Sequence, residues 1–208
     1  MAKFQLSTFT FHLSKLLVGA TFVFSGFVKA IDPLGTTYKI QDYLEVMQLS
    51  WFSELALVAS FALITAEFLA GMLLITNINF KLGLWLSSLL MIAMTPLTFW
   101  IAIKNPVTDC GCFGDAIILS NWATFWKNIV LDVLIIVLWL LQKRLYRPWI
   151  TPFPAWILTI TFSLITIGVG IHSLNNLPFI DFRPYKIGND ILKGMELPEG
   201  AVRDQYST

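Results

Sequence analysis

Charge is what this chain has least of. Only 13% of its 208 residues are Asp, Glu, Lys or Arg, against about 25% in soluble domains. The deficit is concentrated in runs. Residues 82–103 hold no Asp, Glu, Lys, Arg or His, and between Arg147 and Asp181 the only such side chain is His172. A net charge of +1 gives no sign of a nucleic-acid partner. No internal repeat, low-complexity tract or ten-residue dyad pattern occurs, which argues against a β-barrel. Cysteine is scarce as well: Cys110 and Cys112 are the only two, so neither can pair elsewhere in the chain.

What is present is apolar. The chain is 56% hydrophobic, with a mean hydropathy of +0.71. Because about 20 apolar residues cross a bilayer as a helix, five spans are expected, over residues 11–30, 55–75, 82–103, 123–141 and 155–174. Lipid cannot satisfy open backbone groups, so the expected class is all-α, a polytopic membrane protein. The first span is too long, and Val28-Lys29-Ala30-Ile31-Asp32 too poor a cleavage site, for a signal peptide; it reads as a retained helix.

Five spans put Lys3, Lys81, Lys143, Arg144 and Arg147 on one side, with no acid, and eleven of the thirteen acids on the other. Basic loops face the cytoplasm, so the N-terminus is expected inside and the C-terminus outside. Residues 33–37, Pro-Leu-Gly-Thr-Thr, read as a turn ending the first span. Residues 38–49 read as an amphipathic helix lying on the outer surface, with Ile40, Tyr43, Leu44 and Met47 on its apolar face. Pro96 is expected to kink the third span. A polar tail of about thirty residues is too short for a core of its own; it is expected either to pack on the outer face of the bundle, anchored by Leu177-Pro178-Phe179-Ile180, or to lead into a further domain.

The cysteines share one run, Asp109-Cys110-Gly111-Cys112-Phe113-Gly114-Asp115, between the third and fourth spans and so on the outer, oxidising side. A ring closed over one intervening residue is tightly constrained, and strain favours exchange. Gly111 and Gly114 allow the backbone angles such a loop needs. Asp109 and Asp115 would raise the thiol pKa, with Lys104 as a possible offset. Two other readings stand beside disulfide exchange: a static bond that fixes the loop, and a soft metal on Cys110, Cys112 and His172, which has no clear fourth ligand.

Ionisable residues inside spans are costly and face a bundle interior or cavity. Counting about 1.5 Å per residue from the outer span ends places Lys15 and Glu67 at similar depth, roughly 20 Å, so a Lys15–Glu67 pair is expected, with Asp132 joining it. Such a site is either a proton path or quinone pocket, or an ion pair that sets helix register. Lys127 would serve Asp132 or lipid headgroups. Lys29 would snorkel to the surface, and Gly19, Ser25 and Gly26 would let another helix approach closely.

Taken together, Gly19, then Phe24-Ser25-Gly26-Phe27-Val28-Lys29 with Asp32-Pro33, then Glu67 with Gly71, then Cys110-Gly111-Cys112-Phe113-Gly114, resemble the DoxX-like membrane proteins, and among them the MauE (methylamine-utilisation) branch. The resemblance implies a four-helix transmembrane bundle over residues 1–145 in a bacterial inner membrane. A fifth helix over 146–176 and a periplasmic tail over 177–208 go beyond that core, in the manner of a Bacteroidetes-type version. It also implies redox work at the periplasmic face, either disulfide formation in partner proteins or quinone-linked sulfur oxidation. With it, the leading expectation is that Cys110 and Cys112 exchange disulfides with a partner protein and that Lys15, Glu67 and Asp132 line an intramembrane polar site serving a membrane quinone. The implied fold is similar to that of disulfide-generating proteins related to vitamin K epoxide reductase, whose Cys-x-x-Cys and second cysteine pair this chain lacks. The alternative is a non-catalytic subunit that anchors or matures a periplasmic partner, its disulfide structural.

Overall fold

The computed structural model describes residues 2–107, 110–176 and 180, with backbone alone at 2–4 and 115. The tail expected at 177–208 lies outside these apart from Ile180. Every long element among the described residues is an α-helix: α1 (Ala2–Ile31), α2 (Pro33–Val46), α3 (Ala56–Thr76), α4 (Phe80–Lys104), α5 (Asn121–Leu145) and α6 (Pro152–Asn175). Short 3₁₀ turns cover Ser50–Leu55 and Gly114–Ala116. Five of the helical stretches are long and apolar enough to cross a membrane: Gln5–Ile31, Ser50–Thr76, Phe80–Lys104, Asn121–Leu145 and Pro152–Asn175. This is a multi-pass membrane protein.

The helix ends follow local chemistry. Asn77 and Asn105, at φ 61° and 50°, close α3 and α4 in the left-handed conformation that asparagine tolerates. Ser120 caps α5 by accepting from the Ala123 amide at 3.3 Å. The expected turn at 33–37 is instead the start of α2. Asp32 caps it, accepting from the Gly35 amide at 3.0 Å, and Pro33 takes the first helical position, where its missing N–H costs nothing. α2 does not simply lie on the surface: buried Thr37 donates to Ser60 of α3 at 3.0 Å. α4 runs unbroken through Pro96.

α1, α3, α4 and α5 form the bundle. Their core contains Phe11, Val18 and Phe22 of α1, Leu74 of α3, Phe80, Leu84 and Met91 of α4, and Leu131, Ile135 and Leu138 of α5. α1 and α3 touch backbone to backbone. A Cβ on Gly26 would lie 2.5 Å from the Phe68 nitrogen, and one on Gly71 would lie 2.5 Å from the Gly19 oxygen. Small residues are what permit that approach where no hydrophobic effect drives helices together. α6 lies outside this core on α3, through Leu73, Ile78 and Ala155 and an Asn79–Thr159 hydrogen bond of 3.0 Å. The turn after α3 and the loop after α5 meet at one end of the bundle, where Trp149 donates to the Thr76 carbonyl at 3.0 Å and Asn77 to that of Arg147 at 3.2 Å. The cysteine loop caps the opposite end.

Candidate functional site: a thiol pair over a buried ion pair

The loop between α4 and α5 folds into the mouth of the bundle. Asn121 clamps its base, donating to Asn105 Oδ1 at 2.6 Å and to the Val107 carbonyl at 3.0 Å. Gly111 and Gly114 turn the chain at φ +63° and +51°, and the Gly114 amide closes the turn on the Gly111 carbonyl at 3.1 Å. α2 packs over this turn, with Lys39 Cγ 3.1 Å from where a Gly111 Cβ would stand. The Tyr43 hydroxyl donates to the Cys110 carbonyl at 2.6 Å. Phe113 packs edge-on against Phe24 of α1, ring centres 5.4 Å apart.

The two cysteines are free thiols with their sulfurs 2.9 Å apart. Cys110 is buried and Cys112 half-buried. Beneath them Lys29 Nζ bonds both oxygens of Glu67, at 2.7 and 2.8 Å. Ser25 links the two layers. Its Oγ stands 2.6 Å from the Cys112 carbonyl and 2.8 Å from Glu67 Oε2, and Lys29 donates to it at 3.3 Å. A serine hydroxyl has one proton, so it serves the carbonyl or the carboxylate, one at a time. From α5, the Lys127 ammonium lies 4.5 Å from the centre of the Phe113 ring. A cavity of about 30 Å³ lined by Cys112, Ser25, Glu67, Lys127 and Asn128 sits at the centre, room for about one water with polar partners on several sides.

The sulfur–sulfur contact and the nearby cations set the two thiols apart. The Cys112 pKa is lowered to about 6, first by the hydrogen bond from Cys110 and then by Lys127 and Lys29, against the opposing effects of burial and Glu67. Cys110 is pushed above the ordinary thiol range by its bond to Cys112 and by burial. A thiol whose pKa lies near 6 is mostly thiolate at neutral pH, and the thiolate is the reactive form.

Several expected placements change. Glu67 pairs with Lys29, not Lys15. Depth counted from span ends assumed that the spans start level. The glycine contacts set Gly26 against Phe68 instead, so Glu67 stands within a turn of Lys29, and Lys15 lies roughly 20 Å further along α1. Side chains lean toward a helix's N-terminus, so in antiparallel α1 and α3 the two lean toward each other and close the gap. Lys29 is therefore buried, 5% exposed, rather than snorkelling.

Asp132 does not join the pair. It accepts from Thr95 at 2.8 Å and lines a groove between α4 and α5 with Pro96 and Trp139. Lys127 serves Cys112, and with Lys29 fills the part foreseen for Lys104. No cluster of three His, Cys, Asp or Glu that could hold a metal occurs among the described residues; His172 lies 3.4 Å from Asn176. Asp109 and the Asp115 side chain fall outside the described residues. Ser25 and Tyr43 are polar partners of the loop that the sequence presents only as a small packing residue and an apolar-face aromatic. Ser25 and Lys29 do lie one helical turn apart, the spacing that puts two side chains on one face.

Residues 7–141 match the family described as Methylamine utilisation protein MauE. No curated protein and no solved structure matches the chain.

Proposed function

The chain belongs to the MauE family, and from that premise we propose that it is a membrane thiol–disulfide protein whose exchanging pair is Cys110 and Cys112. In this reading the cysteine end of the bundle faces the periplasm of an inner membrane, with the Lys81, Lys143, Arg144 and Arg147 end in the cytoplasm. Electrons pass from the thiols of a periplasmic partner to the pair, and from the pair to a membrane quinone. The dithiol becomes a disulfide as the quinone takes up two electrons and two protons.

The observation that supports it best is the contact of two free sulfurs, 2.9 Å apart, with Lys29 and Lys127 close enough to favour a thiolate. A loop built only to hold its shape has no need of cations under its sulfurs. The burial of Cys110 favours the other reading, a subunit that anchors or matures its partner with a static bond.

Mixed-disulfide capture separates the two. Single Cys110→Ser and Cys112→Ser variants, expressed in cells and acid-quenched, should each leave one thiol able to trap the partner, as a reducible high-mass adduct in at least one variant. A wild-type pair that is always oxidised, with no adduct from either variant, rejects the redox role.

A further inference from the structure

The bundle holds more cationic charge around Cys112 than around Cys110, and the surplus has a consequence for the redox balance. We propose that Cys112 is the standing thiolate of the pair and that Lys127 and Lys29 are positioning residues which set how strongly the disulfide form draws electrons from a partner dithiol. This rests on the thiol–disulfide reading above and adds to it which sulfur holds the charge and which side chains tune the equilibrium.

Geometry separates the two sulfurs. Lys127 lines the same cavity as Cys112 and lies over the ring of Phe113, the next residue. Lys29 reaches the Cys112 carbonyl through Ser25. The partner of the Cys110 carbonyl is the neutral Tyr43 hydroxyl. Four charged groups therefore meet beneath the loop when Cys112 is ionised: Lys29 and Lys127 against Glu67 and the thiolate. They cancel. Forming the disulfide removes the thiolate and leaves one positive charge uncompensated in a poorly solvated place, which is costly. The reduced form is favoured, and a pair with a stabilised reduced form is a stronger oxidant.

A partner dithiol attacks the Cys110–Cys112 bond and passes through a mixed disulfide. It leaves as a disulfide, with Cys110 as thiol, Cys112 as thiolate and one proton released. Of the groups around the site, Lys29, Lys127 and Glu67 act on Cys112, and Tyr43, Lys29 and Cys112 itself on Cys110; Lys39 packs on Gly111 from α2.

With the Cys112 pKa held below the ordinary thiol range by the Cys110 contact and by Lys127 and Lys29, thiolate formation at neutral pH favours the reduced pair over one built from ordinary thiols. That advantage is lost as pH falls through the Cys112 pKa, so relative to a partner dithiol of ordinary pKa the pair becomes a weaker oxidant in acid.

The test uses the full chain in detergent, with glutathione redox buffers as the probe partner and iodoacetamide as the thiolate probe. Lys127→Met should move the equilibrium toward disulfide by roughly three- to tenfold at pH 7 and raise the alkylation pKa, while Lys127→Arg stays close to wild type. Lys127 is half-buried on α5 and is not a member of the Lys29–Glu67 pair, which keeps its own bonds when Lys127 is replaced. A Lys127→Met protein that exchanges with an unshifted equilibrium and an unshifted alkylation profile overturns the inference. If wild type does not exchange with glutathione but Lys127→Met still raises the alkylation pKa, the thiolate assignment stands and the redox reading falls. No exchange and no shift overturns both.

Discussion

Lys29 and Glu67 are 5% and 6% exposed at the side chain, and neither could stay charged there alone. Breaking a buried pair leaves an uncompensated charge, at a cost of about 3–5 kcal/mol. Lys29→Met should therefore lower stability by that order in denaturant unfolding from mixed micelles, and Lys29→Met with Glu67→Met should recover most of the loss. Recovery in the double variant marks the cost as that of the orphaned carboxylate rather than of lysine packing. The Ser25 hydroxyl makes the same point at smaller scale, since it ties the ion pair to the cysteine loop through one proton. The chain announces Glu67 plainly, because a carboxylate in an uncharged run needs a reason. It does not announce the partner. Lys15 and Lys29 are both on α1, and only the α1–α3 register decides between them.

That register belongs to the helices. Gly26 and Gly71 let α1 and α3 meet at backbone distance, and the meeting sets which residues share a level. Gly26→Val should force the Phe68 backbone away, lowering stability by about 1–3 kcal/mol and parting Lys29 from Glu67. Unfolding in micelles would read the first effect, and iodoacetamide accessibility of Cys112 the second, as a faster rate at fixed pH. An unchanged rate would mean that the cysteine loop holds its place without the α1–α3 contact. Capping chemistry is partly legible: Asp32 followed by Pro33 is a helix-start signal, and the Pro-Leu-Gly-Thr-Thr run masks it by looking like a breaker. Tyr43 shows the limit. Its helical spacing marks one face of α2 but not the loop that packs against that face.

At the scale of the molecule, the sequence states the architecture more fully than the site. Five spans are legible because lipid admits only helices and closed barrels, no barrel pattern occurs, and uncharged runs of this length have few other uses. α6 packs against Leu73 of α3 and Ile78 of the turn that follows it, where Asn79 donates to Thr159. The site is less legible because it assembles α1, α2, α3, α5 and a loop, and no single segment reveals such convergence. Lys127 and Asp132 show this well: five residues apart on α5, they face different places, one the Phe113 ring and the cavity beside Cys112, the other a groove with Thr95. A working pair must cycle between dithiol and disulfide. The most direct measurement of that cycle is a pulse of dithiothreitol given to cells, then removed, with acid quench and alkylation at intervals to follow Cys110 and Cys112 by mass. Reduction during the pulse and return to disulfide after it is the predicted result. A pair that resists the pulse, or that stays reduced once the reductant is gone, would contradict it.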